Sequence, residues 1–180
     1  MLKNSHTSWG WPSRMLHWLM AALILGQVVL GKYAHGLDRS MEKLNVMMWH
    51  KSIGISLLLL LLVRLAWIWF NPRPAWSGEA NRWAVAGQRA SHAALYLLMF
   101  AIPLTGWLSN SAKAIPFRLF RVIPWPDLID PDPAMGERFE AWHEGLVTAI
   151  LILLGVHIAA AFWHHFYRRD EVLIRMIKRR

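Results

Sequence analysis

The sequence predicts an all-α integral membrane protein, a four-helix transmembrane bundle that ends in a short amphipathic C-terminal helix. Three observations predict this fold class: 56% of the 180 residues are hydrophobic, the apolar residues fall in four blocks, and the formal charge of +9 is unevenly distributed around them. Each block has roughly 17 to 20 residues, enough for a helix to cross about 30 Å of hydrocarbon. The blocks lack the alternation that a membrane barrel requires, so helices are favoured.

Four spans are predicted, at residues 14–34, 46–70, 89–109 and 140–166. The first block follows basic residues as a signal peptide would, but no small-residue cleavage site follows it, so we expect an uncleaved span. We see no internal repeat, and residues 1–180 are interpreted as one transmembrane domain. The segment from Asp170 to Arg180 has apolar residues at helical spacing, which favours a surface amphipathic helix. A frayed basic tail is the alternative.

The distribution of lysine and arginine predicts the orientation, because these residues are retained on the cytoplasmic side of short loops. With both termini and the loop between spans two and three inside, the whole charge of +9 falls on the inner side. The charges on the outer side balance. We therefore expect a multi-pass protein with both termini in the cytoplasm. Nucleic-acid binding would need a basic face on a soluble fold, and the sequence offers none.

Histidines inside the spans are the main functional candidates, since ionisable groups in hydrocarbon are costly and usually functional. His17 lies near the inner start of span one, and His50 lies near the outer start of span two. His143 and His157 both lie on span four, 14 residues apart. That spacing puts both imidazoles on one helix face with about 21 Å of rise between them. His143 is then level with His50, and His157 is level with His17.

Two histidines from different helices at one depth can hold a heme between them. We predict two b-type hemes, the outer one on His50 and His143 and the inner one on His17 and His157. Gly54, one turn after His50, is expected to leave room for porphyrin. A lone membrane histidine is more simply an interhelical hydrogen bond, but four at paired depths are harder to explain that way. Zinc or copper would need three or four ligands at one depth.

The absence of cysteine narrows the chemistry further. It excludes disulfides, Cys-ligated zinc, iron–sulfur clusters and the covalent attachment of a c-type heme. Arg14 and Arg64 lie at the inner level and are candidates to meet the heme propionates, with plain positive-inside anchoring as the alternative. Lys51 directly follows His50 and is the matching candidate at the outer level.

Two further histidines lie near the inner level. His164 is seven residues after His157, close to the same helix face and nearer the cytoplasm. It is a candidate to exchange protons with a quinone head, and an interfacial histidine without a role is the alternative. The role of His92 stays open between a helix–helix hydrogen bond and a further binding or quinone residue.

These residues resemble the bacterial cytochrome b561 family, a group related to the di-heme cytochrome b subunits of nickel hydrogenases and formate dehydrogenases. The likeness covers nearly the whole chain and includes Leu16-His17-Trp18-Leu19, His50-Lys51-Ser52-Ile53-Gly54, Pro103-Leu104-Thr105-Gly106, Trp142-His143-Glu144 and Gly155-Val156-His157-Ile158. The resemblance implies a stand-alone di-heme protein of the bacterial inner membrane, similar to members that oxidise superoxide at the outer face and reduce ubiquinone. It also implies heme ligands at His17, His50, His143 and His157.

The first functional hypothesis is an oxidoreductase that carries electrons from superoxide, or another periplasmic donor, to ubiquinone. Lys51 and His164 are its candidate catalytic residues, and Arg118 or Arg121 are further candidates for attracting superoxide. The alternatives are an electron-relay cytochrome b subunit of a membrane dehydrogenase or hydrogenase, and a non-redox membrane protein. The expected partners are the lipid bilayer, the quinone and the donor. The sequence leaves open whether the protein is a monomer or a dimer.

Overall fold

Four long helices form the body of the protein in the computed structural model, which describes residues 2–5, 8–72, 74 and 82–178. They are α1 (Trp11–Gly36), α2 (Met41–Phe70), α3 (Arg82–Ala112) and α4 (Pro133–Trp163). A π-helix (His164–Arg168) continues α4, and a short helix α5 (Val172–Ile177) follows it. The four long helices are apolar enough to cross a membrane. The predicted all-α class with a short C-terminal helix is confirmed.

The helices begin before the predicted spans, and their first turns explain why. Pro12 lies in the first turn of α1, where its missing N–H costs no hydrogen bond. The Ser40 hydroxyl accepts a hydrogen bond from the Lys43 amide at 3.2 Å, and the Asp132 carboxylate accepts one from the Met135 amide at 3.0 Å. These caps pair amides that a helix start leaves unpaired. Polar residues therefore extend α2 and α4 beyond the apolar blocks.

Consecutive helices run antiparallel, with α1 against α2, α2 against α3, and α3 against α4. Asn4, just before α1, donates a hydrogen bond from its side chain to the Pro72 carbonyl just after α2. The start of α4 meets the end of α3, where Ser109 donates to the Gly136 carbonyl. We call the end of the bundle with the start of α1 the terminal end. We call the opposite end, which carries the β-hairpin described next, the hairpin end.

A small β-hairpin lies between α3 and α4 and was not predicted. Strands β1 (Arg118–Leu119) and β2 (Ile123–Pro124) pair antiparallel, with Leu119 opposite Ile123. The turn residues Phe120 and Arg121 have φ of 50° and 65°, which matches a type I′ turn. The hairpin packs on α2, because the Phe120 amide donates to the Ser52 hydroxyl at 2.9 Å and Arg121 is hydrogen-bonded to Asn45.

The chain turns back at the terminal end through the π-helix and a left-handed residue, Arg169, at φ 53°. This turn lays α5 against the start of α1. The Trp18 indole donates to the Met176 carbonyl at 2.8 Å, and the Arg14 guanidinium donates to the Ile177 carbonyl at 3.4 Å. Carbonyls in a last helical turn have no partner within the helix, so these two donors fix α5 in place.

Candidate functional site

One histidine pair lies toward the hairpin end and joins α2 to α4. The imidazole centroids of His50 and His143 are 6.3 Å apart, with the ring planes at 79°. His143 Nδ1 donates a hydrogen bond to the Ile102 carbonyl of α3 at 2.8 Å. Because a carbonyl only accepts, this bond puts the proton on Nδ1 and leaves the lone pair of Nε2 available as a ligand.

A second pair lies toward the terminal end and joins α1 to α4. The centroids of His17 and His157 are 6.4 Å apart, with the planes at 58°. His92 of α3 is also present here, with its ring centroid 5.5 Å from that of His157. His92 Nδ1 donates to the Gln88 carbonyl one turn earlier at 2.8 Å, so this hydrogen bond stays within its own helix. The structure thus places the two histidines of each predicted pair next to each other. It also places His92 beside the terminal-end pair.

Each pair has a spacing that suits one metal-centred group between two imidazoles. Separations of 6.3 and 6.4 Å match two metal–nitrogen bonds of about 2 Å plus half a ring at each end. Within residues 2–5, 8–72, 74 and 82–178, no three His, Asp or Glu side chains are grouped closely enough to hold a metal ion by themselves. Heme brings its own in-plane nitrogens and needs only two axial ligands, so it fits such pairs.

Arg64 lies near the terminal end, where it connects three helices. Its Nε donates to the Tyr96 hydroxyl of α3 at 3.1 Å, and its Nη1 donates to the Ser13 carbonyl of α1 at 3.3 Å. The Trp67 indole donates to the Ser13 hydroxyl at 3.0 Å. The guanidinium is therefore held inside the bundle, one turn of α1 from His17. Arg14 has a different partner, the last carbonyl of α5, and its buried Nε has no hydrogen bond among the described residues.

His164 begins the π-helix at the terminal end and is paired with a carboxylate. Its Nδ1 is hydrogen-bonded to Oδ2 of Asp170, and the two side chains are 23% and 17% exposed. The other oxygen of Asp170 accepts the Val172 amide at 3.1 Å, at the start of α5. One carboxylate thus orients His164 and holds the first turn of α5. An imidazole oriented in this way is suited to proton transfer.

Lys51 lies beside the hairpin-end pair and is held by an amide. Its ammonium group donates to Oδ1 of Asn110 at 2.6 Å, and Asn110 in turn donates to the Ile115 carbonyl at 2.9 Å. In the described part of the chain Lys51 forms no ion pair, whereas the nearby Lys113 is paired with Glu140. The hairpin end therefore carries a half-buried positive charge that no carboxylate of the described chain neutralises.

Several residues of the site were not predicted from the sequence. A Cβ at Gly54, which is predicted to leave room for porphyrin, would meet only the Gln27 amide, at 3.7 Å. The glycines that contact the histidines lie on other helices, Gly31 against His50 and Gly106 against His143. Tyr96 and Asp170 were given no role. The resemblance to the family includes Tyr96-Leu97-Leu98 and Pro103-Leu104-Thr105-Gly106, and these motifs were the signals for Tyr96 and Gly106.

A four-helix membrane bundle with two interhelical histidine pairs has the architecture of a b-type membrane cytochrome. The family model described as prokaryotic cytochrome b561 matches residues 8–179, so the chain belongs to this family of membrane electron-transfer proteins, and the family implies b-type heme. It is 31% identical to cytochrome b561 homolog 2 of Escherichia coli, over 97% of this chain and 93% of that protein. It is 25% identical to the probable superoxide oxidase CybB of Yersinia pestis, over 92% and 93%.

Cytochrome b561 homolog 1 of Escherichia coli is 27% identical over 73% of this chain and 74% of its own length. The first two relatives are matched over nearly their full length, so they share the whole four-helix region. The predicted family is thereby confirmed. The chain is a multi-pass membrane protein in contact with the lipid bilayer, as its four apolar helices and its family require.

Proposed function

We propose that this chain is a di-heme quinone reductase of the bacterial inner membrane that takes electrons from superoxide, or another periplasmic donor, and delivers them to ubiquinone. The observation that carries the proposal is the pair of histidine contacts at two levels of the bundle, at 6.3 and 6.4 Å. Heme bound at each pair supplies a one-electron carrier. His50 with His143 and His17 with His157 are the proposed axial ligands.

Axial ligation from both sides has a chemical consequence for the donor. If His50 and His143 hold the iron of a heme from its two sides, superoxide would not bind the iron as a ligand. It would then give up its electron without forming a bond to the metal. The similarity to a probable superoxide oxidase supports superoxide as the donor.

The hairpin end is proposed to face the periplasm, because the excess of lysine and arginine lies on the side of the termini. The half-buried ammonium of Lys51, aimed by Asn110, would attract a small anion to the level of His50. Arg118 and Arg121 are exposed on the hairpin above it and add positive charge. These groups attract and orient superoxide through their charge, and no proton transfer is needed in this step.

The terminal end is proposed to hold the quinone, with His164 as the proton donor. Two superoxide anions each give up one electron and leave as dioxygen, and the quinone takes up two electrons and two protons to become a quinol. His164 lies beyond the inner pair and is oriented by Asp170, so it can pass protons from the cytoplasmic side. Arg64, held by Tyr96 and Ser13, and Arg14 are the proposed partners of the inner propionates.

Heme content and reduction kinetics of single-ligand variants test this proposal. The purified wild-type protein should hold two hemes per chain and be reduced by superoxide without a partner protein. H143A should lose the outer heme and its reduction by superoxide, and H157A should lose the inner heme and ubiquinone reduction. Retention of both hemes in both variants would refute the ligand assignment. Full heme content with reduction only by a partner dehydrogenase would instead favour an electron-relay subunit.

A further inference from the structure

Both histidines of the hairpin-end pair lie directly on a glycine of a neighbouring helix. A Cβ at Gly31 of α1 would be 3.0 Å from Cε1 and 3.3 Å from Nδ1 of His50. A Cβ at Gly106 of α3 would be 3.2 Å from both Cε1 and Nδ1 of His143. Contacts this short are tighter than nine in ten real Cβ contacts, so an alanine at either position would displace the imidazole by a few tenths of an ångström.

The residue four before each glycine contacts the same histidine. For Gly106 this residue is Ile102, whose carbonyl accepts the His143 Nδ1–H at 2.8 Å. For Gly31 it is Gln27, whose side chain contacts the backbone of His50. His50 Nδ1 is buried and has no hydrogen-bond partner among the described residues. Residues four apart lie on one helix face, so the glycine and the residue one turn earlier form one surface against the histidine.

The Gln27 side chain adds a second contact between α1 and the residue that carries the imidazole. Its Nε2 donates to the His50 carbonyl at 2.7 Å. An amide inside a membrane span is costly unless it is paired. The Nε2 of Gln27 is paired with the backbone of a proposed ligand, whereas its Oε1 is buried without a hydrogen-bond partner among the described residues. Gln27 therefore fixes the position of the His50 backbone, and Gly31 fixes the position of the His50 ring.

We propose that Gln27 with Gly31, and Ile102 with Gly106, form two matched supports that position the imidazoles of His50 and His143 for the outer heme. In each support the glycine admits the ring. At His143 the Ile102 carbonyl one turn earlier accepts Nδ1–H, which would leave Nε2 free to bind iron. At His50 the Gln27 amide one turn earlier holds the backbone that carries the ring. A hydrogen bond from Nδ1 to a carbonyl orients the ring and raises its basicity as a ligand. Gly31, Gly106 and Gln27 are thus positioning residues. The inference rests on the proposed ligation by His50 and His143.

The terminal-end pair has no such support in the described structure: none of the described glycines lies against His17 or His157. The two pairs therefore differ in a way that a single substitution can test. Gly26 on α1 and Gly87 on α3 provide matched controls, because a Cβ at either position would meet nothing within 4 Å.

The experiment measures heme per chain, the reduced absorption spectrum and the two midpoint potentials for G31A, G106A, G26A and G87A in the full-length protein. G31A and G106A should reduce heme content from two per chain to about one, with the inner heme retained. Should either variant keep the outer heme, its potential and its low-spin spectrum should change. G26A and G87A should match the wild type. Retention of the inner heme also shows that the bundle has folded.

Two results would overturn the proposal. The first is wild-type heme content, spectrum and potentials in G31A and G106A. The second is loss of both hemes in G31A while H50A keeps the inner one, since the glycine would then support the fold and not the ring. If H50A and H143A themselves kept the outer heme, the ligand assignment of the proposed function would fail instead, so the two failures are distinguishable.

Discussion

Replacing Ser52 with alanine should loosen the hairpin that covers the outer histidine level. Ser52 is completely buried in α2, two residues after His50, and its hydroxyl accepts the Phe120 amide at 2.9 Å. Phe120 and Arg121 both occupy the left-handed region, which costs a non-glycine residue roughly 1–2 kcal/mol. The hairpin therefore depends on contacts with α2 to hold an unfavourable turn. Ser52 provides one of these contacts.

The size of the effect follows from the lost hydrogen bond. Alanine leaves the Phe120 amide without its acceptor, and an unsatisfied, partly buried donor costs about 1–3 kcal/mol. That free energy corresponds to a rise of about 5- to 150-fold in the equilibrium constant for hairpin opening. The strands contribute little to oppose it, since each has only two residues.

Hydrogen exchange followed by mass spectrometry measures this opening directly. Peptides that cover residues 117–125 should exchange faster in Ser52→Ala by a factor within that range, while peptides from α1 and α4 stay unchanged. Ser56→Ala is the matched control, because the Ser56 hydroxyl donates to the Ser52 carbonyl within the same helix. Unchanged hairpin exchange in Ser52→Ala, or equal acceleration in Ser56→Ala, would refute the reasoning.

Two further predictions concern the proposed reaction. Lys51→Met keeps most of the side-chain volume but removes the charge, so stopped-flow reduction by superoxide should slow roughly tenfold at low ionic strength and lose much of its salt dependence. An unchanged rate and salt dependence would argue against electrostatic attraction by Lys51. Asp170→Asn keeps an acceptor for the Val172 amide but replaces the oxygen that holds His164. Steady-state ubiquinone reduction should fall in kcat by roughly tenfold or more, with the heme spectrum and the superoxide step unchanged. Normal turnover in this variant would exclude a positioning role for the carboxylate.

The helices were predictable because hydropathy and span length depend on local sequence. The hairpin was not, because none of its signals is local. Type I′ turns favour Asn-Gly or similar pairs, whereas Phe120 and Arg121 occupy this one. Strand β2 contains Pro124, which counts against a strand in any pattern of propensities. The contact that stabilises the turn comes from Ser52, 68 residues away in the sequence.

The histidine pairs were predictable for a related reason. A regular helix fixes the angle between His143 and His157, and the alternating direction of the spans fixes their depth, so His50 and His17 are matched to them by level. A contact between two helices depends on the rotation of both, which no single helix encodes. Gly31 was therefore not singled out, although it lies against the His50 imidazole from a neighbouring helix.

Asp170 was missed because the helical period ends before it. The π-helix adds a residue to the turn after Trp163, and Arg169 then reverses the backbone at φ 53°. A carboxylate six residues after His164 would lie on the far side of a continuous α-helix. The irregular turn brings the Asp170 carboxylate back to the His164 imidazole.

The unbroken course of α4 between its two histidines limits how this protein can change in evolution. His17 and His50 lie on separate helices, so an insertion in the loop at residues 37–40 alters neither of their helices. A single residue inserted between His143 and His157 would instead rotate one imidazole by about 100° relative to the other. Insertions and deletions among descendants of this chain should therefore occur in the loops, and the spacing of 14 residues between His143 and His157 should stay constant.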